Sequence, residues 1–212
     1  MTSSDDKSAD KFLDEAYHLE DKESMAAFYQ KWADDYDQQM LENLNYLSPR
    51  LIGELLIEYL SDKQSAILDI GCGTGLTSVL LHERSYQSID GLDFSADMLR
   101  VSSERGIYRK LIEADLNQPL NIADEQYHAA ISSGTFTHGH VGPEPLHEIF
   151  RILKPGGLLA CTIHNELWQS QGFEQKLEQL LDDGTITCLV RRLDSYFKGS
   201  EPEGWFCLYQ KL

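Results

Sequence analysis

Apolar and polar residues form two kinds of pattern along the chain. Nearly continuous apolar runs such as SAILDI (65–70) and GLLACTIH (157–164) predict strands that are covered on both faces. Segments such as LTSVLLHERS (76–85), in which apolar residues have helical spacing, predict helices. Because strands and helices are predicted alternately from residue 65 to residue 164, the pattern indicates an α/β domain with a largely parallel sheet.

The remaining elements follow from the same two patterns. Further strands are predicted at QSIDGLDFS (87–95), YRKLIEAD (108–115), YHAAISSG (127–134), TITCLVRRL (185–193) and GWFCLYQKL (204–212). The last two are expected to pair antiparallel as a closing hairpin. Further helices are predicted over SADMLRVSSERG (95–106), over residues 145–157 with Pro155 and two glycines as the stop, and from about Trp168 to Leu181.

A helix is also predicted ahead of the first strand. It begins at Ser48, which precedes a proline, and it places Leu55 and Tyr59 on one apolar face. Residues 1–60 are therefore expected to form a helical extension or lid on a domain that comprises residues 61–212, the two making one structural domain.

The loop after the first strand carries an unusual concentration of glycine. In ILDIGCGTG (67–75), Gly71, Gly73 and Gly75 occupy every second position. In a parallel sheet a ligand lies beyond the carboxyl ends of the strands, and bare backbone at a helix start lets it approach the free N–H groups. The dinucleotide fingerprint would need its third glycine at Leu76, and a phosphate loop would need a lysine. The loop therefore favours a different nucleotide-like ligand.

Composition narrows the possible partners. The chain has 18 lysines and arginines against 35 aspartates and glutamates, a formal net charge of −17, so a nucleic acid would be repelled. No window approaches the roughly 18 apolar residues of a membrane span, and the start MTSSDDKSADK lacks secretory features. We expect a soluble, cytoplasmic protein with no membrane partner. Its four cysteines are far apart, so we expect reduced thiols and no metal site.

Several motifs, taken in order, resemble one known family. LDIGCGTG followed by GLDFSADML resembles the first two motifs of class I S-adenosylmethionine-dependent methyltransferases. EADL (113–116), ISSGTFTHGHVGP (131–143) and LKPGG (153–157) continue the resemblance, which covers about residues 25–165. FYQKWADDYD (28–37) resembles the first helix of a smaller subset, the methyltransferase-like proteins named after the Williams–Beuren chromosomal region.

The resemblance implies a fold and a cofactor. The fold would be a Rossmann-like sheet of seven strands, mostly parallel, with helices on both faces, the last strand antiparallel and an N-terminal helical extension. The cofactor would be S-adenosyl-L-methionine, and the product S-adenosyl-L-homocysteine.

The resemblance also implies roles for polar residues at the strand ends. Asp69 would orient the loop and the amino acid end of the cofactor, although it could simply cap the loop. Cys72 and the three glycines would touch the cofactor through backbone atoms, so Cys72 is more simply an inert thiol. Asp93, at a strand end, can accept hydrogen bonds from both ribose hydroxyls. Asp115 would bind the adenine amino group beside the Leu116 N–H, or be an ordinary surface aspartate.

Aromatic and apolar residues add a second set of candidates. Phe94 and Met98 are placed to pack on the adenine, though their spacing also suits plain core. Tyr29 and Tyr36 belong to an aromatic stripe with helical spacing, which either joins the core or covers the cationic sulfonium at the mouth of the cofactor site. Both tyrosines are candidate cofactor contacts.

The fourth strand would end beneath the transferable methyl group. Ser132 and Ser133 are therefore cofactor candidates. Histidine can take a proton from an acceptor near neutral pH, which makes His138, His140 and His164 candidate catalytic bases. A hydrogen-bonded structural role competes for each of them.

The predicted function is S-adenosylmethionine-dependent methylation of oxygen or nitrogen on a small-molecule acceptor. A protein acceptor is an alternative, because an acidic surface attracts basic segments. A cofactor-binding adaptor without catalysis is a second alternative. A nicotinamide-dependent oxidoreductase is disfavoured by the glycine spacing.

Overall fold

The computed structural model describes residues 36–137 and 141–212. Its strands are β1 (Ile67–Ile70), β2 (Ile89–Asp93), β3 (Lys110–Glu113), β4 (Tyr127–Phe136), β5 (Leu153–His164), β6 (Ile186–Asp194) and β7 (Gly204–Lys211). They form one seven-stranded sheet in the order β3-β2-β1-β4-β5-β7-β6. β7 is antiparallel to β5 and to β6, and the other pairings are parallel. The predicted Rossmann-like sheet with a reversed last strand is confirmed.

The helices connect the strands and precede the first of them. They are α1 (Ser48–Tyr59), α2 (Leu76–Glu83), α3 (Ala96–Glu104), α4 (Leu146–Ile152), α5 (Asn165–Ser170) and α6 (Phe173–Asp182). A helical turn at Tyr36–Gln38 and a π-helical turn at Gln39–Asn43 come before α1. In the described parts of the chain, no helix is both long and apolar enough to cross a bilayer.

Residues 36–47 form the N-terminal segment. Its end lies along the connection between β6 and β7, because the N–H of Leu47 donates to the carbonyl of Tyr196 at 2.7 Å and the N–H of Lys198 donates to the carbonyl of Asn45 at 3.1 Å. Residues 1–35 of the predicted extension lie outside the described residues.

Both faces of the central strands are buried, as in β1 and β2. In β1, Leu68 belongs to one hydrophobic cluster and Ile67 to the other, because successive strand residues point to opposite faces. Phe150 of α4 and Leu177 of α6 contribute to the first cluster, and Leu56 of α1 contributes to the second. A strand covered on both sides needs a nearly continuous apolar run, which is what the sequence contains.

The helix predicted over residues 145–157 is wrong in its second half. α4 ends at Ile152, and β5 begins at Leu153, which pairs with Tyr127. The next paired residue on β4 is two positions further on, whereas on β5 it is Leu158, so the KPGG stretch between them bulges out of the ladder. A Cβ atom on the second glycine of that stretch would lie 2.7 Å from a backbone carbonyl oxygen. The proline and glycines shape a bulge in the strand instead of stopping the helix.

Two further helix predictions need correction. The single helix from Trp168 to Leu181 is two helices, α5 and α6, because Gly172 has a φ of 81° and interrupts the helical path. Tyr59 is 46% exposed and does not belong to the buried face of α1, which Ile52 completes instead.

Candidate functional site

The glycine loop lies at the carboxyl ends of β1 and β2. The N–H of Cys72 donates to the carbonyl of Leu92 at 3.0 Å, and the N–H of Gly73 donates to Oδ2 of Asp93 at 2.8 Å. Oδ1 of Asp93 accepts the N–H of Ser95 at 2.9 Å. One buried carboxylate therefore fixes both the loop after β1 and the turn that leads into α3.

The three loop glycines lack side chains for different reasons. Gly71, Gly73 and Gly75 have φ values of 63°, 52° and 96°, in the left-handed region that glycine tolerates best. A Cβ atom on Gly71 would lie 2.1 Å from Oγ1 of Thr135, and one on Gly75 would lie 3.0 Å from Cδ of Arg105. Apart from its two chain neighbours, no described residue has an atom within 4 Å of a Cβ on Gly73. Open space for a ligand therefore exists beside Gly73.

A cavity that is partly open to solvent adjoins this loop; its empty space, counted together with the open part, is about 760 Å³. It is bounded by the carboxyl ends of β1 to β4 and by the N-terminal segment. Its lining residues are Tyr36, Gly71, Gly73, Leu92, Asp93, Phe94, Met98, Ala114, Asp115, Leu116, Asn117, Ser133, Gly134, Thr135 and Val141. Most of the predicted cofactor contacts are among them.

Four predicted contacts within the described residues are buried and are absent from the cavity lining, namely Asp69, Cys72, Gly75 and Ser132. Tyr29 lies outside the described residues.

The charge of the cavity is negative. Asp93 and Asp115 line it, and of the residues that the structure describes no lysine, arginine or histidine does so. Burial raises the pKa of Asp93, although the N–H groups of Ser95 and Gly73 act in the opposite direction. Asp115 is half-buried, and its Oδ1 accepts the backbone and side-chain N–H groups of Asn117 at 3.0 and 3.1 Å. Such a lining disfavours phosphate and suits a ligand with a cationic centre and hydroxyl donors.

Asp69 lies behind the loop and does not border the cavity. Its Oδ2 accepts the hydroxyls of Ser78 at 2.6 Å and Tyr108 at 2.8 Å, whereas Oδ1 has no hydrogen-bond partner within the described residues. Burial raises the pKa of Asp69 to about 6, against the effect of the two hydroxyls. No local pattern in the sequence pointed to Ser78 or Tyr108, which contact Asp69 from α2 and from the segment just before β3.

On the β4 side, the cavity lining includes the hydroxyl-bearing residues Ser133 and Thr135. Oγ of Ser133 lies 2.9 Å from Oγ of Ser48 and 3.3 Å from the hydroxyl of Tyr46. We refer to these three residues as the hydroxyl cluster. Ser132 points away from the cavity, because its hydroxyl donates to the carbonyl of Ile70 at 2.9 Å. Tyr46 and Ser48 were missed by the sequence analysis, since they stand more than 80 positions from Ser133.

Comparison with known proteins decides the family. Over residues 67–157 the chain matches the family described as "Methyltransferase domain". It is 32% identical over 170 residues to methyltransferase-like protein 27 of Homo sapiens, an alignment that covers 79% of this chain and 68% of that relative. This chain belongs to the class I S-adenosylmethionine-dependent methyltransferases. The predicted family is confirmed.

Other similarities agree with this assignment. The methyltransferase is 33% identical over 110 residues to a demethylmenaquinone methyltransferase of Listeria monocytogenes, covering 47% of this chain and 44% of that protein. A crystal structure of a putative S-adenosyl-L-methionine-dependent methyltransferase from Methanococcus maripaludis superposes with a TM-score of 0.63 at 21% identity, over 86% of this chain and 93% of that one. The second likeness concerns the fold alone.

S-adenosylmethionine is the methyl donor of this family and therefore the cofactor of this methyltransferase. The residues present fit it. The open space beside Gly73 admits a ligand against bare backbone, and the Asp93 carboxylate next to it can accept hydroxyl protons. Met98 and Leu116 supply buried apolar contact in the same cavity.

The candidate catalytic histidines and the Cys72 thiol differ in what the structure shows of them. His138 and His140 lie outside the described residues. His164 is buried at the N-cap of α5, where its Nδ1 accepts the N–H of Glu166 at 3.3 Å, and it does not line the cavity. Cys72 is buried, and burial raises the pKa of its thiol well above the usual value, as expected of an unreactive cysteine.

Proposed function

We propose that this methyltransferase transfers a methyl group from S-adenosylmethionine to an oxygen or nitrogen atom of a small-molecule acceptor. The observation that carries the proposal is the cavity beside Gly73, which has carboxylates on one side and hydroxyl groups on the other. Two chemically different walls suit a site that holds a cofactor and an acceptor side by side.

The carboxylate side would hold the cofactor. The Asp93 carboxylate accepts backbone N–H groups of Gly73, Phe94 and Ser95, and we assign its remaining acceptor capacity to the two ribose hydroxyls. Asp115 would accept the adenine amino group beside the Leu116 N–H. Phe94 and Met98 would flank the adenine ring, since both line the same part of the cavity.

The hydroxyl side would hold the acceptor. Bound S-adenosylmethionine supplies an electrophilic methyl group on a cationic sulfur. The chain's task is then to hold an acceptor atom in line and to keep water out, which is a large part of the catalytic effect in such transfers. Ser133 is half-buried in the cavity wall and can present its hydroxyl to the acceptor, while Ser48 and Tyr46 fix that hydroxyl from behind.

Proton removal would fall to a group other than the hydroxyl cluster. Burial raises the pKa of Tyr46, so its hydroxyl remains a donor and is a poor base. His138 and His140 remain our proposed bases, because they come three and five positions after Thr135, which lines the cavity. His164 is a weaker proposal, because its Nδ1 already caps α5.

The N-terminal region would enclose the acceptor. Tyr36 lines the cavity from the N-terminal segment, and we propose that residues 1–60 act as a lid over the domain that comprises residues 61–212. The similarity to a demethylmenaquinone methyltransferase, whose name specifies a small-molecule acceptor, supports an enclosed site for such a compound.

A labelling experiment tests the acceptor class. The protein would be incubated with methyl-labelled S-adenosylmethionine and a cell extract that has been separated into metabolite and protein fractions. We expect label in the metabolite fraction. Label confined to the protein fraction would establish a protein acceptor instead, and cofactor binding without any labelled product would indicate an adaptor.

A further inference from the structure

Three residues beside the cavity, Asp37, Thr74 and Arg105, form a closed ring of hydrogen bonds. Arg105 donates from one guanidinium nitrogen to the carboxylate of Asp37 and from Nε to the carbonyl of Thr74. The hydroxyl of Thr74 donates to the other carboxylate oxygen of Asp37 at 2.5 Å. Each member of the ring therefore contacts both of the others.

The ring joins three elements that surround the cofactor cavity. Asp37 adjoins Tyr36, which lines the cavity. Thr74 lies in the glycine loop, one residue after Gly73, and Arg105 is the C-cap residue of α3. None of the three ring residues lines the cavity itself. We therefore expect them to affect a ligand by positioning the adjacent lining residues Tyr36 and Gly73.

The glycine loop makes room for this arginine. A Cβ atom on Gly75 would lie 3.0 Å from Cδ and 3.2 Å from Nε of Arg105. Gly75 is absent from the cavity lining. The third glycine of the loop thus accommodates the ring, whereas Gly73 leaves space for the ligand.

The ion pair in the ring is more shielded than a typical surface pair. The side chains of Arg105 and Asp37 are 25% and 33% exposed, whereas those of Arg100 and Glu104, a pair on the same helix, are 50% and 69% exposed. A partly buried, charge-assisted pair is screened less by solvent and by salt. The Arg105 pair can therefore hold a segment in place, and the Arg100 pair serves as a matched control.

We propose that Arg105 is a positioning residue for S-adenosylmethionine. It fastens the N-terminal segment, and with it Tyr36, to the glycine loop, and it thereby sets the affinity of the cofactor without touching it. This inference rests on the cofactor assignment within the proposed function and on no particular acceptor.

Calorimetric titration with S-adenosyl-L-homocysteine tests the affinity. We expect Arg105→Ala to raise the dissociation constant about tenfold, which corresponds to about 1.4 kcal/mol. Arg105→Lys keeps the charge but loses the forked geometry, so an intermediate value is expected. The double exchange Asp37→Arg with Arg105→Asp restores an ion pair but not the hydrogen bond to the Thr74 carbonyl, so it should recover only part of the lost affinity. Arg100→Ala should bind within about twofold of the parent.

Hydrogen exchange in the ligand-free protein tests the anchoring. Backbone amides of residues 36–46 should exchange faster in Arg105→Ala than in the parent or in Arg100→Ala. Unchanged affinity, or unchanged exchange in that segment, would overturn the proposal. If Arg105→Ala does not fold, Asp37→Asn gives the same two measurements with the arginine in place.

The two proposals can fail separately. A protein that binds S-adenosyl-L-homocysteine but methylates no metabolite would refute the proposed function and leave the role of Arg105 intact. If instead Arg105→Ala bound S-adenosyl-L-homocysteine as tightly as the parent does, the role of Arg105 would be refuted and the proposed function would stand.

Discussion

Asp90 and Asp93 are buried carboxylates three residues apart on the same strand, yet their surroundings differ completely. Asp90 accepts two hydrogen bonds from the Arg109 guanidinium, at 2.9 and 2.8 Å, and one from the Tyr127 hydroxyl at 2.8 Å. Asp93 accepts only backbone N–H groups in the described structure and borders the cofactor cavity. Lys110 also approaches Asp90, at 3.6 Å.

The difference shows how to separate a structural acid from a ligand-binding one. A buried charge that is neutralised by a cation and a hydroxyl contributes to the fold, and removing it leaves its partners unsatisfied. A buried carboxylate that has no cation and faces a cavity has acceptor capacity left for a ligand. The hydrogen-bond partners therefore distinguish Asp93, which is available to a ligand, from Asp90, which is not.

The largest expected effect is on the structural acid. Asp90→Ala should lower the free energy of unfolding by about 3 kcal/mol, because the Tyr127 hydroxyl and the Arg109 guanidinium lose their shared acceptor. Urea unfolding followed by circular dichroism would measure it. Asp93→Ala should cost only about 1 kcal/mol of stability, and the opposite ranking of the two variants would contradict the comparison.

Asp69 extends the comparison to a third buried carboxylate, and its test is the pH dependence of stability. Burial raises its pKa from 3.8 to about 6, so the folded state holds the proton more tightly than the unfolded state. The resulting stability is complete below about pH 4 and is lost as the pH rises through about 6. Relative to Asp69→Asn, the ligand-free parent should lose up to about 3 kcal/mol between about pH 4 and 7, at about 1.4 kcal/mol per pKa unit.

Unfolding curves of both proteins at a series of pH values would check this. Parallel pH profiles for the parent and Asp69→Asn would show that folding does not raise the pKa of Asp69.

The ligand-binding acid should show its effect in affinity. Asp93→Ala should weaken S-adenosyl-L-homocysteine binding by about 1 to 3 kcal/mol, because the ribose hydroxyls lose a charged acceptor. Calorimetry would measure the change. Glu113→Ala, which removes an exposed carboxylate at the end of the neighbouring strand, should bind as the parent does. Equal binding by both variants would refute the ribose assignment.

The smallest expected effect on binding and stability lies on the hydroxyl side. Ser133→Ala should change stability by no more than about 1 kcal/mol, since one half-buried hydroxyl is lost. Cofactor affinity should stay within about twofold of the parent, while the rate of labelled-methyl transfer falls. If the Ser133→Ala protein kept full transfer activity, the assignment of the hydroxyl cluster to the acceptor site would be refuted.

Local pattern predicted the fold well where local and tertiary preferences agree. The apolar run before the glycine loop became β1, and the serine and proline that open α1 were placed correctly, because each signal is contained in a few neighbouring residues. Prediction failed at residues 153–157, where pairing with β4 converts a helix-stop signal into a strand bulge. Proline and glycine indicate that a regular element is interrupted, but pairing with the neighbouring strand determines whether the interrupted element is a helix or a strand.

By itself the sequence determined the alternation of strands and helices, the glycine-rich loop after β1 and the position of Asp93 at the end of β2. Only the tertiary structure decided that Gly73 opens to the cavity while Gly75 accommodates Arg105, and that Tyr46 and Ser48 support Ser133. The physical reason is distance along the chain. Periodicity and spacing report what neighbouring residues prefer, whereas these contacts join residues that only the folded sheet and its helices bring together.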